Sequence, residues 1–333
     1  MNKGTIAIAL ATFNGESYLE EQINSILSQS YESWDLYICD DGSSDSTPDI
    51  LIRLAKSDSR INIIEKPFKE PPSHYNNFHR LLTYIQGKGY PYFALCDQDD
   101  VWATNKLSEQ IKILEKDSKT TLCHSDLSVV NEHLNLIHES FCILNKFNFV
   151  SMKLMRFLML DNFAVGCTIV AKTEILEHAI PFPENLTNHD WWLAICAELF
   201  GEIKFLNQPL VLYRQHQNNQ IGSTKVIEKL LYKPKSFLSL LKKHRRNFEY
   251  STEALLELNK HEPIEKINMK SYDDLNFYLN LIHSKKNLLK IIYTLHNRGY
   301  CSRSLIKDIV ATYNIWRYRL KYKSKTSCGI LKN

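Results

Sequence analysis

The first hundred residues alternate short apolar runs with amphipathic stretches, and three of the apolar runs end in polar loops. Thr5 to Leu10 is stopped by Thr12-Phe13-Asn14-Gly15, and Trp34 to Cys39 by Asp40-Asp41-Gly42-Ser43-Ser44-Asp45. Ile61 to Ile64 is the third run, and Tyr92 to Cys96 drives into Asp97-Gln98-Asp99-Asp100. Between them, Leu19, Ile23, Ile26 and Leu27 recur at helical spacing within Ser17 to Gln29. Thr47 to Ala55 carries Pro48 in its first turn, a position that suits proline, and Asn77 to Ile85 forms the third helix. A β-α-β-α-β-α-β rhythm predicts an α/β chain with a parallel sheet wrapped by helices. Ligands of such sheets sit beyond the carboxyl ends of the strands, so the three loops predict one site built from three strands.

The densest of the three loops is the acidic one. Carboxylates crowded at a strand end repel one another unless a positive charge stands among them. Mg²⁺ and Mn²⁺ take oxygen ligands and complete their shell with water and substrate phosphates. The D-x-D of Asp97 and Asp99 therefore suggests a metal clamp for a diphosphate. Alone, it reads as a solvated acidic turn before a helix beginning near Asn105. The neighbouring loops tip the balance towards the metal.

From about residue 120 the pattern is mixed. Thr121 to Cys123, Leu127 to Val130, and Phe163 to Ala171 around Gly166 read as strands. Trp191 to Phe200 reads as a helix after Asn188-His189-Asp190, and Ile203 to Phe205 and Leu210 to Tyr213 as strands bracketing Pro209. Gln215 to Thr224 has too little apolar content to pack and predicts a mobile loop. Beyond Lys225, apolar residues at helical spacing alternate with lysines and arginines, predicting three to five helices. The expected division is thus 1–224 for the α/β domain and 225–333 for a basic helical region.

Charge supports that division. The net charge of +4 hides 23 Lys/Arg against 9 Asp/Glu in residues 225–333, leaving 18 against 28 in residues 1–224. Eight cysteines without a C-x-x-C pair, several inside apolar runs, suit buried thiols in a reducing compartment better than disulfides or zinc. Neither a secretory signal nor an apolar stretch of the roughly 20 residues that span a bilayer is evident. The expectation is a cytoplasmic protein, at most peripheral at the inner face of the membrane.

With these loops in place, the chain resembles the family 2 glycosyltransferases of the GT-A fold. More narrowly, it is similar to the bacterial rhamnosyltransferase-like enzymes that build surface polysaccharides. The resemblance rests on Ala11-Thr12-Phe13-Asn14-Gly15, Cys39-Asp40-Asp41-Gly42-Ser43-Ser44-Asp45, Cys96-Asp97-Gln98-Asp99-Asp100-Val101-Trp102, His189-Asp190-Trp191-Trp192 and Tyr213-Arg214-Gln215-His216. These motifs run over roughly residues 5–220, and the C-terminal third carries none.

The resemblance implies a GT-A domain with a helical appendage, and an inverting, metal-dependent transfer from a nucleotide diphosphate sugar. Thr12, Phe13 and Asn14 would then contact the nucleotide, together with Gln98 of the acidic loop. Asp41 would accept from the pyrimidine N3–H, favouring uracil or thymine over cytosine; the plain alternative is an Asx turn. Asp99 would ligate Mg²⁺ or Mn²⁺, Asp97 would face the ribose or a metal-bound water, and Asp100 would orient the loop. Asp190 is the candidate general base, placed where a helix N-terminus keeps a carboxylate ionised; a simple N-cap is the alternative. His216 would complete the metal shell or touch the diphosphate, Arg214 would contact phosphate, and Asn77 would lie near the donor. A lone histidine after a strand also reads as structural.

No Q-x-x-R-W motif or membrane span is present, so one sugar is expected per encounter. dTDP-L-rhamnose is the favoured donor, with UDP-hexoses behind it. The basic C-terminal third fits a polyprenyl-diphosphate-linked acceptor at an anionic membrane face, with Lys229 to Arg246 mixing Leu/Phe and Lys/Arg. A helical oligomer contact would carry the same pattern. A nucleotidyltransferase is disfavoured by the single glycine and missing basic residue of the first loop, and an oxidoreductase by the absence of G-x-G-x-x-G. No motif accompanies the basic tail to indicate nucleic acid. A catalytically idle sugar-nucleotide-binding scaffold is the rival from another class, and Asp99 and Asp190 argue against it.

Overall fold

The computed structural model describes residues 4–66, 73–149, 152–159, 161–183, 188–216, 267–284, 288–300, 313 and 315. Of the expected loop Gln215 to Thr224, Gln215 belongs instead to the last strand of the sheet, and the part from 217 onward, like the basic segment Lys229 to Arg246, lies outside these residues. The described part divides into two compact units. One comprises 1–146, 164–182 and 188–222; the other comprises 147–163, 183–187 and the chain from 223.

The first unit is built on one sheet. Its strands are β1 Ile6–Thr12, β2 Trp34–Asp40, β3 Ile61–Ile64, β4 Tyr92–Cys96, β5 Val101–Trp102, β6 Thr120–Asn131, β7 Leu136–His138, β8 Ile169–Lys172 and β9 Glu202–Gln215. They lie in the order β3-β2-β1-β4-β8-β6-β9-β5, with β7 beside β6. The β3-β2-β1-β4 half is parallel, as the alternating rhythm requires. Beyond β4 the sheet is mixed: β8 runs antiparallel to both β4 and β6, β9 parallel to β6, and β5 antiparallel to β9.

Helices α1 Leu19–Leu27, α2 Thr47–Ser57, α3 His74–Gln86 and α4 Lys106–Lys116 cover the parallel half and its join. Each buries one stripe: α1 turns Leu19, Gln22, Ile23 and Ile26 inward, and α3 turns Asn77, Phe78, Leu81, Leu82 and Ile85. Every residue of β1 is buried, as expected of a central parallel strand. Burial of a Leu or Ile side chain contributes about 1.5–3 kcal/mol, so these stripes are what hold the helices against the sheet. After β7 come α5 Phe141–Leu144, α6 Leu154–Leu158, α7 Leu176–Ala179 and α8 His189–Phe200, the last buried on nearly all sides.

Three elements differ from the sequence expectation. The pieces on either side of Pro209 are one strand, β9, and those around Ser125 are one strand, β6. Their pairing slips where Asp126 faces Pro209, and that irregularity accommodates a residue with no N–H to give. The expected strand Phe163–Ala171 begins only at Ile169, because Gly166–Thr168 winds into a 3₁₀ turn. A side chain at Gly166 would stand 3.3 Å from His189 Nε2, a tight contact that glycine avoids.

In the second unit, α9 Met269–His283 buries Leu275, Tyr278, Leu279 and Leu281. Asp274 of α9 pairs with Arg156 Nε of α6 at 2.7 Å, and its carbonyl accepts from Tyr300 Oη, just past α10 Leu288–Asn297. Helical elements in this region accord with the periodicity read there.

Candidate active site

Register brings the three polar loops together. Thr12 at the end of β1 pairs with Asp40 at the end of β2, and Leu10 pairs with Cys96 of β4. The loops therefore leave one edge of the sheet side by side and are stitched to one another. Gln98 Oε1 accepts from Thr12 Oγ1 at 2.7 Å and from the Phe13 N–H at 2.8 Å, while Gln98 Nε2 donates to the Phe13 carbonyl at 3.2 Å. Asn14 takes a left-handed φ of 49°, which asparagine tolerates, and its Oδ1 accepts from Ser44 N at 2.9 Å. Thr12 and Gln98 thus clamp the first loop to the third, and Phe13 is left with its ring exposed.

In the second loop, Asp40 accepts from Ser43 N and Oγ, forming the Asx turn, with Gly42 at φ 89°. Asp41 is buried. Its Oδ1 lies 2.7 Å from Lys66 Nζ, and its Oδ2 accepts from the Ser73 N–H. Lys66 and Ser73 carried no motif.

The third loop holds the charge. Asp99 Oδ2 is 2.8 Å from His216 Nε2, so the two expected metal ligands meet although 117 positions apart. The contact follows from topology: β5 pairs with β9, Val101 opposite Leu212, and pulls the end of the acidic loop onto the end of β9. Asp100 is fully buried and accepts from the Arg214 N–H at 3.1 Å. Burial, then the charges of Asp99 and Asp190, push the Asp97 carboxyl up to about 8. Asp100 is driven upward by burial and by Asp99 and Asp97.

An acidic cluster so short of positive charge fits a divalent cation. Its donor set, a carboxylate oxygen beside an imidazole nitrogen with further carboxylates behind, suits Mn²⁺ or Mg²⁺. Cys167 also brings its thiol close to Asp97 and Asp100, the three ligand atoms lying within 4.8 Å of one another.

Asp190 opens α8, where the helix N-terminus favours negative charge, and its Oδ1 accepts from Trp191 N at 2.7 Å. Its charge acts on Asp97, so the base candidate and the acidic loop belong to one site. Gly166 lies between them in the chain's path, its missing Cβ 3.7 Å from that of Asp190. His189, one residue earlier, stacks on Phe78 with ring centroids 4.0 Å apart, and burial drives its imidazole well below the usual range. Trp191 and Trp192 are buried, and Trp192 Nε1 donates to the Ala179 carbonyl, which makes them wall and core.

Two expected donor contacts take other roles. Arg214 is buried with Nε on the Asp99 carbonyl (2.7 Å), Nη1 on the Glu132 carbonyl (2.6 Å) and Nη2 on Glu21 Oε2. It also lies over the Tyr18 ring. It braces the acidic loop from behind instead of presenting its fork to a phosphate. Asn77 is buried, with its Nδ2 donating to the Cys39 carbonyl at 2.8 Å and its Oδ1 accepting from Arg80, which ties α3 to the end of β2. Its amide is committed to the frame of the site and not to a ligand.

Comparison with known proteins agrees with this architecture. The dTDP-rhamnosyl transferase RfbG of Shigella flexneri is 32% identical over 226 residues, covering 64% of this chain and 74% of that one. A glucosyltransferase of Escherichia coli, WfgD, named for UDP-Glc and α-D-GlcNAc-diphosphoundecaprenol, is 28% identical and covers 60% and 72%. Among solved structures, residues 1–349 of S. aureus TarS with UDP superpose with a TM-score of 0.51 at 14% identity, over 96% of this chain and 92% of that one. That likeness identifies the fold as GT-A. The family model described as Glycosyl transferase family 2 matches residues 7–177, from β1 through the acidic loop to α7. A match over half the chain, laid on the strands that carry the three loops, makes this protein a member of glycosyltransferase family 2.

Proposed function

We propose that the enzyme moves one sugar per encounter from a nucleotide diphosphate sugar to a hydroxyl of a lipid-linked bacterial surface glycan, inverting the anomeric centre. The observation that carries the reading is the Asp99–His216 pair at the end of β4, beside an Asp97 that feels the charge of Asp190. Asp99 Oδ2 and His216 Nε2 would hold Mg²⁺ or Mn²⁺, which when bound neutralises the donor diphosphate as its leaving charge develops. Asp190 accepts the proton of the acceptor hydroxyl while that oxygen bonds to the anomeric carbon and the nucleoside diphosphate departs from the opposite face. Asp41 accepts from the pyrimidine N3–H, and Asp97 faces the nucleoside sugar.

The donor preference for dTDP-L-rhamnose draws on the dTDP-rhamnosyl transferase relative, and UDP-hexose stands second because of the UDP-Glc relative. The diphosphoundecaprenol in the latter's name supports a polyprenyl-diphosphate acceptor, and a relative named for teichuronic acid biosynthesis supports a surface polymer. Among the described residues no helix is long and apolar enough to cross a membrane. The basic residues of 225–333 would instead bring a cytoplasmic enzyme to the anionic inner face, or join two copies.

Thermal stability measured with a panel of nucleotide sugars and Mn²⁺ tests this. A donor at a hundred times its Kd stabilises by about 2.7 kcal/mol. Asp99→Ala loses that metal-dependent gain. Asp190→Asn keeps it, yet transfers sugar to the acceptor, with release of nucleoside diphosphate, about 10²–10⁴-fold more slowly. Near-normal turnover in Asp190→Asn removes the base assignment.

A further inference from the structure

The N-terminus of α3 places a histidine that no motif singled out between the groups proposed to hold the two ends of the donor nucleotide. Ser73, its N-cap residue, donates its backbone N–H to Asp41 Oδ2, on the side of the site read as the base pocket. The next residue, His74, points the other way: its Nε2 lies 3.9 Å from Asp97 Oδ1, in the loop whose Asp99 meets His216. Both Asp41 and Asp99 act electrostatically on the His74 ring. In any nucleoside diphosphate, the pentose is what lies between the base and the diphosphate.

The pair is built to receive something. A separation of 3.9 Å is too long for a hydrogen bond, yet a hydroxyl oxygen about 2.8 Å from each atom fits between them. Both side chains are recessed but open, about a third and a quarter exposed. The His74 ring is set edge-on to Phe78 at 4.9 Å and near His189 at 5.1 Å, so its direction is fixed before a ligand arrives. The hydroxyl that dTDP and UDP share on their pentose is the 3′.

We infer that His74 and Asp97 grip the 3′-hydroxyl of the donor's pentose, Nε2–H donating to its oxygen while its own hydrogen goes to Asp97 Oδ1. The inference rests on the nucleotide-sugar reading above and names a residue that sets how that nucleotide is held.

The test compares dTDP with 2′,3′-dideoxythymidine diphosphate, or UDP with its 3′-deoxy analogue, by calorimetric titration with Mn²⁺. The protein and His74→Phe are titrated in parallel, since phenylalanine keeps the ring packing against Phe78 and His189. The unaltered protein should prefer the hydroxylated nucleotide about tenfold. His74→Phe should narrow that preference to about threefold, the Asp97 contact remaining, by weakening the hydroxylated nucleotide and leaving the analogue's affinity unchanged. A preference undiminished in His74→Phe, or absent from the unaltered protein, overturns the inference while leaving the nucleotide reading intact. Failure of the unaltered protein to bind either dTDP or UDP overturns both.

Discussion

Arg214 is conspicuous in the sequence, whereas the contacts that hold it are not. An arginine beside a histidine at the end of a strand invites a phosphate, because its planar fork matches one. What the sequence does not display is the partner set: two carbonyls, Asp99 and Glu132, and the Glu21 carboxylate, met from three directions in a buried position. Lysine offers a point charge in place of a fork and satisfies at most part of that set. Arg214→Lys should lower the unfolding free energy by about 2–4 kcal/mol, the cost of leaving buried polar groups unpaired. The acidic loop loosens with it, so the donor binding proposed to depend on Mn²⁺ should weaken while the proton transfer proposed for Asp190 changes little at saturating donor. Chemical denaturation and donor titration read the two effects, and an unaltered affinity for donor with Mn²⁺ would show that the brace does not serve the loop. Asp99, Asp190 and His216 were singled out by the family resemblance, and each stands near a strand end or helix start.

Elements were readable where one periodicity ran unbroken, and obscure where two requirements met in a few residues. The strands β1, β2 and β4 are continuous apolar runs, and helices α1 to α4 keep a clean inward stripe. The stretch around Gly166 defeats such reading because its residues are apolar like a strand yet wind as a turn. The cause is long-range, for the turn is shaped by His189 pressing on Gly166 from a helix 23 positions later. His74 and Lys66 were missed likewise, since nothing local signals that one approaches Asp97 and the other Asp41. Gly166→Ala separates packing from chemistry. The added methyl stands 3.3 Å from His189 Nε2, and the His189 ring is held by stacking on Phe78 with centroids 4.0 Å apart. Replacing glycine at a negative φ gains about 0.4–1 kcal/mol from the unfolded chain, against about 1 kcal/mol or more of overpacking. Stability should therefore change little. Asp190 rides on the same helix start, and a shift of tenths of an ångström there should cut kcat about tenfold with donor KM unchanged. An unchanged kcat would mean that the helix start absorbs the methyl without moving its carboxylate.

At the scale of the molecule, the parallel half of the sheet supplies the three loops, and the mixed half returns β9 and α8 to bring His216 and Asp190 to them. That return path buries titratable groups, and their burial sets how the fold responds to acid. His124 on β6 is buried against Phe205, and desolvation pushes its imidazole down to about 3. In the unfolded chain a histidine takes up a proton near pH 6.5. Between about 6.5 and 3 the unfolded state therefore binds a proton that the folded state refuses, and stability falls as pH falls. The slope for one such group is about 1.4 kcal/mol per pH unit. Above pH 7 neither state is protonated and the contribution is constant. His74 and His189 are lowered as well and add to the same limb. Asp97, pushed up to about 8, and Asp100, also raised, have the opposite sign: the folded state keeps protons the unfolded one releases, so stability falls as pH rises through that range. Total stability thus mixes both trends, but the difference between the protein and His124→Phe cancels every group except His124. Urea denaturation from pH 7.5 to 4.5 should show that difference flat above about pH 7, then moving in favour of His124→Phe by up to about 1.4 kcal/mol per unit below 6.5. A difference that stays level across the whole series would mean that His124 is solvated in the folded state, and that the slip of β6 against β9 admits water to the sheet.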